Sequence, residues 1–522
     1  MLRDLDQMAE GAEIACDVCI VGSGAAGIAL AVGLLDSKLS VVVLESGGAI
    51  DEPATQRLYD SEVVGHAFAG VHEGRFRTYG GSTTRWGGSG IRLDASDFEK
   101  REWVRDSGWP IGFSEVEKYY PRASALLGTD AMNFDTEVFA HLGFTPPAFD
   151  GERVGYRFEK FAPRPSLREV YGAKLRDSTN VTVLLHANLT RIELSPGLDH
   201  VERVHVRSLS GRSATVRAGR VAICTGAIET ARILLANDAQ QQRGIGNARG
   251  LVGRYLQDHP VARVATITTS DPDRLQRLFN TFYKGGQKYA VRHPAPAGLQ
   301  RREEILNAAA IVKFEAPADS PYRALKEAVL AAKRGKVGMA LPQAMGRAVL
   351  RAPSILRPVY EYVVRGRAYT PSPSIWLAMT SEQEPNPESR VTLAEERDAL
   401  GVRKSKIDWR MTELTLRTMR VYTRVVGEEF ARLGLGEMMA EEWLEGREDW
   451  RALVGDQYHH MGTARMGDSA ETGVVDGRCR VFGVDNLYVA GSAVFPTGGQ
   501  AGPTLTIIAL ALRMAEEFAE RS

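Results

Sequence analysis

The sequence predicts an α/β fold, α+β overall, in which a parallel nucleotide-binding sheet is joined to an antiparallel sheet backed by helices. Three observations predict it. A β-rich run at residues 17–22 opens into a glycine turn and an apolar helical stretch, and a second β-rich run then ends in an acid. Residues 80–88 form a second glycine-dense loop. Beyond residue 260, short β-rich runs, a Pro-marked turn and one long helical pattern follow one another. The 522 residues allow two to four domains. A hydrophobic content of 44% and a charged content of 25% exclude disorder and fibrous classes. Lys+Arg and Asp+Glu are both 65, and this zero balance argues against a whole-chain binder of nucleic acid. Glycine stands out, with 52 residues against a usual share of roughly 7%.

The first unit carries a specific signal. Asp17 to Val21 suits a buried parallel strand, and Gly22-Ser23-Gly24-Ala25-Ala26-Gly27 spells GxGxxG before the helix-competent run Ile28 to Leu35. Gly22 permits the tight turn, Gly24 lets backbone approach a pyrophosphate, and Gly27 lets helix and strand pack closely. The helix N-terminus offers free N–H groups to the phosphates. Val41 to Leu44 forms the next strand and ends at Glu45, placed to accept hydrogen bonds from a ribose. This is a Rossmann-like dinucleotide unit. Alone, it does not separate FAD from NAD. No second fingerprint follows it.

The loop Gly80-Gly81-Ser82-Thr83-Thr84-Arg85-Trp86-Gly87-Gly88 cannot be the interior of a helix or strand, and it suits backbone shaped against a flat ligand. With this loop in view, the chain resembles the glucose–methanol–choline (GMC) flavin oxidoreductases. Residues 17–48 resemble that family's FAD-binding unit, 80–88 its flavin-side loop, and Val221 to Leu235 its second FAD strand and turn. Gly253 to Pro260 is similar to its GRxLQDHP stretch, and 459–513 to its catalytic segment. Residues 266–375 resemble nothing in it. The resemblance implies FAD, and it implies cofactor contacts from Gly22, Gly24, Ala26, Gly27, Glu45 and Ser46. It extends them to Gly81, Ser82, Thr83, Trp86, Gly87 and Gly88, then Leu189, Thr225, Gly226 and Glu229, and finally Gly491, Ser492, Pro503 and Thr504. Some members link FAD through a His just before the loop Trp. Arg85 stands there, which implies noncovalent FAD.

Residues 458–467 read Tyr-His-His-Met-Gly-Thr-Ala-Arg-Met-Gly. An imidazole with a pKa of roughly 6.5 can take and return a proton near neutrality. Deprotonating an alcohol yields an alkoxide that expels hydride onto flavin N5, and this needs no metal. The resemblance implies that His459 is the general base. His460 points elsewhere if the segment is extended. The family usually offers Asn or His where this chain has Gly502. Three readings stay open: Gln500 or His460 supplies the missing contact, backbone N–H or water does, or the chain is a repurposed member.

The resemblance places the FAD domain in 1–100, 180–260 and 450–522, and the substrate-binding or cap part in 101–179 and 261–449. Strands are expected at Ser374 to Met379 and Arg390 to Leu393 around the turn Glu384-Pro385-Asn386-Pro387, with a helix from Glu413 to Leu433. Residues 320–370 hold ten Lys or Arg against two acids, which suits a solvated lid face, a membrane-surface helix or an acidic-partner site. Cys16 and Cys19 have CxxC spacing within a strand and read as small buried residues, like Cys224 and Cys479. The acidic start lacks an apolar run, so no signal peptide is read and a cytoplasmic location is expected. The Gln383-to-Pro387 and His459-to-Gly467 stretches bring the resemblance nearest to bacterial pyranose-oxidase-like sugar and glycoside oxidoreductases. Oxidation of a secondary sugar or glycoside hydroxyl, with oxygen or another acceptor, is therefore expected. The alternatives are a bulky natural-product, aliphatic or aromatic alcohol, or a non-redox lyase that retains FAD.

Overall fold

A computed structural model describes residues 1–324, 326, 353–446 and 449–521. Its first sheet has eight strands. Leu2–Asp4, Val181–Leu185, Val41–Leu44, Ala12–Val21 and Ser213–Ile223 run parallel in that spatial order. Val201–Arg207 and Asn188–Leu194 add an antiparallel flank, and Leu487–Val489 pairs in parallel with the end of Ser213–Ile223. The burial of Ala12–Val21 explains its two-part sequence. Its first half alternates between half-buried and exposed, while Val18 to Val21 are all buried, as a central parallel strand requires. The four residues Val41–Leu44 are likewise buried.

Helix Ala25–Gly33 leaves this sheet at Gly22–Gly24 and packs on helix Thr504–Glu520. A Cβ on Gly27 would overlap the carbonyl oxygen of Gly22, so the turn closes only with glycine at that point.

The second sheet is antiparallel, in the order Glu437–Ala440, Val261–Thr268, Ser374–Ser381, Ala308–Glu315, Gln287–Pro294, Arg157–Phe161 and Ser89–Gly90, with Phe282–Lys284 beside Gln287–Pro294. Helix Glu413–Arg432 backs one face. There Tyr422 donates from its hydroxyl to His293 O at 2.9 Å, and Phe149, Phe279 and Phe430 stack against one another. The other face looks toward the site described below.

Two details depart from the sequence reading. Arg390–Arg397 does not join Ser374–Ser381; it pairs with Arg403–Asp408 and Ser61–Val63 in a separate three-stranded sheet. Pro385 and Pro387 lack the N–H that a continuing ladder needs. Ser89–Gly90, grouped by sequence with the cofactor segments, pairs with Arg157–Phe161 in the second sheet.

All four cysteines are free, and Cys19, Cys224 and Cys479 are buried. No helix among the described residues is long and apolar enough to cross a membrane. Most of the basic stretch, residues 325 and 327–352, lies outside the described residues, so the three readings of it are not decided.

Candidate active site

A cavity of about 530 Å³ runs from the C-terminal ends of the parallel strands to the catalytic segment. It gathers segments that lie far apart in sequence. Gly22, Gly24, Ala26, Glu45 and Ser46 line it from the first unit, and Gly81, Ser82, Thr83, Trp86 and Gly87 from the second loop. Leu189, Thr225, Gly226 and Glu229 form a third part. Gly491, Ser492, Pro503, Thr504, His459 and His460 close it. Gly27 and Gly88, both among the expected cofactor residues, do not line the cavity. Gly27 closes the turn against Gly22, and a Cβ on Gly88 would meet Pro165 and Ala162.

The residues fit a dinucleotide. A Cβ built on Gly24, Gly87, Gly226 or Gly491 meets no protein atom within 4 Å, so four separate stretches of backbone front open space. Glu229 Oε1 accepts from Arg77 at 2.6 Å and Arg232 at 2.9 Å, whereas the buried Oε2 has no partner and belongs to a cavity-lining carboxylate. A buried acceptor without a donor calls for a ligand donor. Glu45 Oε2 accepts from Ser23 N–H at 3.0 Å and Ser23 Oγ at 2.5 Å, and Ser23 Oγ in turn accepts from Gly80 N–H at 3.0 Å. Ser23, an unassigned x of the motif, thereby ties both glycine loops to the strand-end acid. Burial raises the Glu45 carboxyl above its ordinary range, opposed by these donors.

At the other end, His459 Nδ1 lies 2.8 Å from His259 Nδ1. His259 Nε2 lies 2.9 Å from Gly499 O, which can only accept, so His259 carries its proton on Nε2. Its Nδ1 is then an acceptor, and His459 must donate from its own Nδ1. That leaves the His459 Nε2 lone pair unprotonated. Both rings are neutral. Burial, then a weak opposing carbonyl contact, leaves His259 at about 4. Burial, then the charges of His259, Arg292 and His460, holds His459 well below the ordinary imidazole value. The backbone N–H of His459 donates to Asp258 Oδ2 at 2.9 Å, and Asp258 Oδ1 accepts from Gln457 and His259 N–H. Burial, then the neighbouring Asp456, pushes Asp258 up to about 8.

Gly502 flanks the free nitrogen. A Cβ there would stand 3.4 Å from His459 Cε1 and 3.6 Å from Nε2, in ordinary contact. His460 turns to Phe68 in an edge-on contact at 5.1 Å, and its buried Nε2 has no partner and lies 3.9 Å from Asp258. Gln500 is buried outside the cavity lining. Arg85 lines the cavity and pairs with Asp51. Sequence reasoning left His259 without a role, although its stretch was in view. It also missed Tyr458, which precedes His459 with φ +63° and donates to Glu73 at 2.8 Å. Such strained backbone beside a site is a recurring mark of function.

The C-terminal GMC oxidoreductase family model matches residues 385–511. The paromamine 6'-oxidase of Streptomyces fradiae is 25% identical over 553 residues, covering 96% of this chain and 91% of that one. The C-glycoside 3-oxidase of Arthrobacter globiformis is 34% identical over 129 residues, 24% of this chain and 22% of the other. A solved FAD-dependent oxidoreductase from Chaetomium thermophilum has the same fold, with a TM-score of 0.58, 15% identity and coverage of 97% and 99%. A dinucleotide cavity that ends at a neutral, deprotonated imidazole agrees with these likenesses: residues 385–511 carry the C-terminal GMC oxidoreductase segment, and the chain is similar over nearly its whole length to an oxidoreductase of that kind.

Proposed function

We propose that the enzyme oxidises a secondary hydroxyl of a sugar or glycoside to a carbonyl, with His459 as general base. The observation that carries this is the chain Gly499 O, His259, His459. It fixes both tautomers and aims a lone pair at the space beside Gly502. His459 Nε2 accepts the hydroxyl proton. The Nδ1–H bond to His259 holds the ring in place and keeps it in the tautomer that can do so. FAD, when bound, supplies the hydride acceptor.

The 1–100, 180–260 and 450–522 segments carry the cofactor, and 101–179 and 261–449 the substrate side. FAD is held noncovalently, because Arg85 cannot form the link that a His would form. The first-turn N–H groups of helix Thr504–Glu520 sit at the cavity end, where they favour developing negative charge. The sugar preference draws on relatives described as a paromamine 6'-oxidase and a C-glycoside 3-oxidase.

Anaerobic bleaching of the bound flavin across a sugar, glycoside and simple-alcohol panel tests the reading. Sugars or glycosides should bleach it fastest. Bleaching confined to aliphatic or aromatic alcohols would replace the substrate class, and no bleaching by any alcohol would overturn alcohol oxidation. Oxygen uptake against dye reduction then identifies the acceptor.

A further inference from the structure

The second sheet's open face is unusually basic where it approaches the base. Side chains on a strand alternate between faces, so Lys288, Ala290 and Arg292 share one face while Tyr289, Val291 and His293 pack into the helical side. Glu159 is registered opposite Ala290 and pairs with Arg292 Nε at 3.0 Å. Lys313 stands in the next strand, and its charge interacts with those of Arg292, Glu159 and Lys288. Lys326 adds its charge to Lys288.

This group is continuous with the cavity. Cavity-lining Ser89 hydrogen-bonds Glu159, and cavity-lining Gln457 donates to Thr380 Oγ1 at 2.7 Å on the same sheet. Arg292 bears electrostatically on both His459 and His259.

The charges do not cancel. Lys288, Arg292, Lys313 and Lys326 outnumber the two acids of this face, Glu159, already engaged by Ser89 and Arg292, and Glu315, already paired with Arg323. Lys313 has neither an ion pair nor a hydrogen bond among the described residues, and Lys288 lies over the Phe161 ring at 3.7 Å. Residues 327–352 hold five Lys or Arg and one acid, Glu327, so their composition adds a further excess of positive charge. Ala290, with only a methyl group between the cations, leaves the middle of the row open. Cations gathered on one sheet face beside the cavity, and outnumbering the acids there, form an anion subsite.

We propose that the substrate is an anionic alcohol, whose carboxylate or phosphate is held by Lys313, Lys288 and Arg292 while its hydroxyl lies at His459. This rests on the alcohol-oxidation reading and narrows its substrate class to acidic sugars or glycosides.

The test compares matched ligands on the holoenzyme: a neutral methyl glycoside, its 6-carboxylate and its 6-phosphate, each scored by anaerobic flavin reduction. An anionic member should exceed the neutral one at least tenfold in kcat/KM, and the better of the two identifies the anion. Lys313→Met should lower that preference at least tenfold through KM, Lys313→Arg should restore it, and Lys313→Glu should invert it. A neutral preference, or a preference indifferent to Lys313→Met, overturns the proposal. Calorimetric titration of the wild type and Lys313→Met with inorganic phosphate and with malonate needs no turnover. Binding that Lys313→Met abolishes, alongside an unbleached flavin, would support the anion subsite while removing the sugar reading. Absence of binding in the wild type would overturn the subsite whatever the panel shows.

Discussion

The cofactor wall and the substrate wall of the same cavity are made of different material. The cofactor wall is backbone: Gly24, Gly87, Gly226 and Gly491 front open space, and Glu45 and Ser23 tie the loops together from behind. The proposed substrate side is side chains: His459 lines the cavity, His259 stands behind it, and Arg292, Glu159 and Lys313 lie on the adjoining sheet. A wall of backbone presents N–H groups and a flat surface that fit one large planar ligand. A wall of side chains presents a base and charges that select among small ones. The two should therefore fail in opposite ways. The cofactor wall fails when atoms are added, and the substrate wall when they are removed.

The largest effect is expected from removal at the base. His459→Ala should keep its FAD spectrum but reduce the rate of anaerobic flavin bleaching by about 10²- to 10⁴-fold, or roughly 3–5 kcal/mol of barrier. Rapid-mixing absorbance at saturating substrate measures it. A variant that bleaches at the wild-type rate would remove His459 from the role of base.

The opposite failure is expected at Gly24. Its backbone φ of −71° suits any residue, and its Cβ direction is empty of protein. Gly24→Val should leave the apo fold intact, as read by circular dichroism and melting. The added methyls project into the phosphate cradle, so FAD content should drop by about tenfold or more, the loss expected when uniform binding is removed. Full FAD loading would show that the cradle is looser than its geometry implies.

This asymmetry also explains what could be read from the sequence. The cofactor wall was legible because glycine is a positional signal. Gly22, Gly24, Gly81, Gly226 and Gly491 all line the cavity, as their motifs implied. Gly27 was legible as a packing glycine, whereas Gly88 was legible only as a required one, because a motif does not say whether a Cβ would meet ligand or protein. The substrate wall was legible only at His459. His259 lies 200 residues away in sequence, and its bond to the base depends on how two loops meet. Arg292 and Lys313 belong to strands in the part of the chain where no motif was found, and only sheet register brings them to one face. The third sheet was hidden similarly: nothing local to Arg390–Arg397 says that its partner is Ser61–Val63 by way of Arg403–Asp408.

A smaller effect should follow at His259, through pH. The base works only when neutral, and its pKa is held well below the ordinary value by burial and next by His259 itself. Lowering a base's pKa moves its acid limb down, so wild-type bleaching should stay level as pH falls through 6.5. His259→Leu removes one lowering contribution and the tautomer lock. Its acid limb should therefore rise toward 6.5, and its rate at neutral pH should fall by about tenfold, or ~1.4 kcal/mol. A rate loss without movement of the limb would assign His259 a packing role only.

The smallest effect, and the one that sharpens the comparison most, concerns Gly502, a glycine that stands beside the base in sequence reading and in position alike. Its Cβ would sit 3.4 Å and 3.6 Å from His459 Cε1 and Nε2, which needs no movement of the ring, and its φ lies outside the left-handed region. Gly502→Ala should fold and load FAD like the wild type. The methyl takes space beside the lone pair, so KM should rise about threefold, or ~0.7 kcal/mol, with kcat moving less. If FAD content fell instead, Gly502 would belong to the backbone wall, and the division between the two walls would lie on the other side of His459. If KM fell, the space beside Nε2 would be larger than the substrate needs, and the methyl would supply a contact that glycine leaves unmade. Steady-state kinetics with flavin quantitation on one preparation separates the three outcomes.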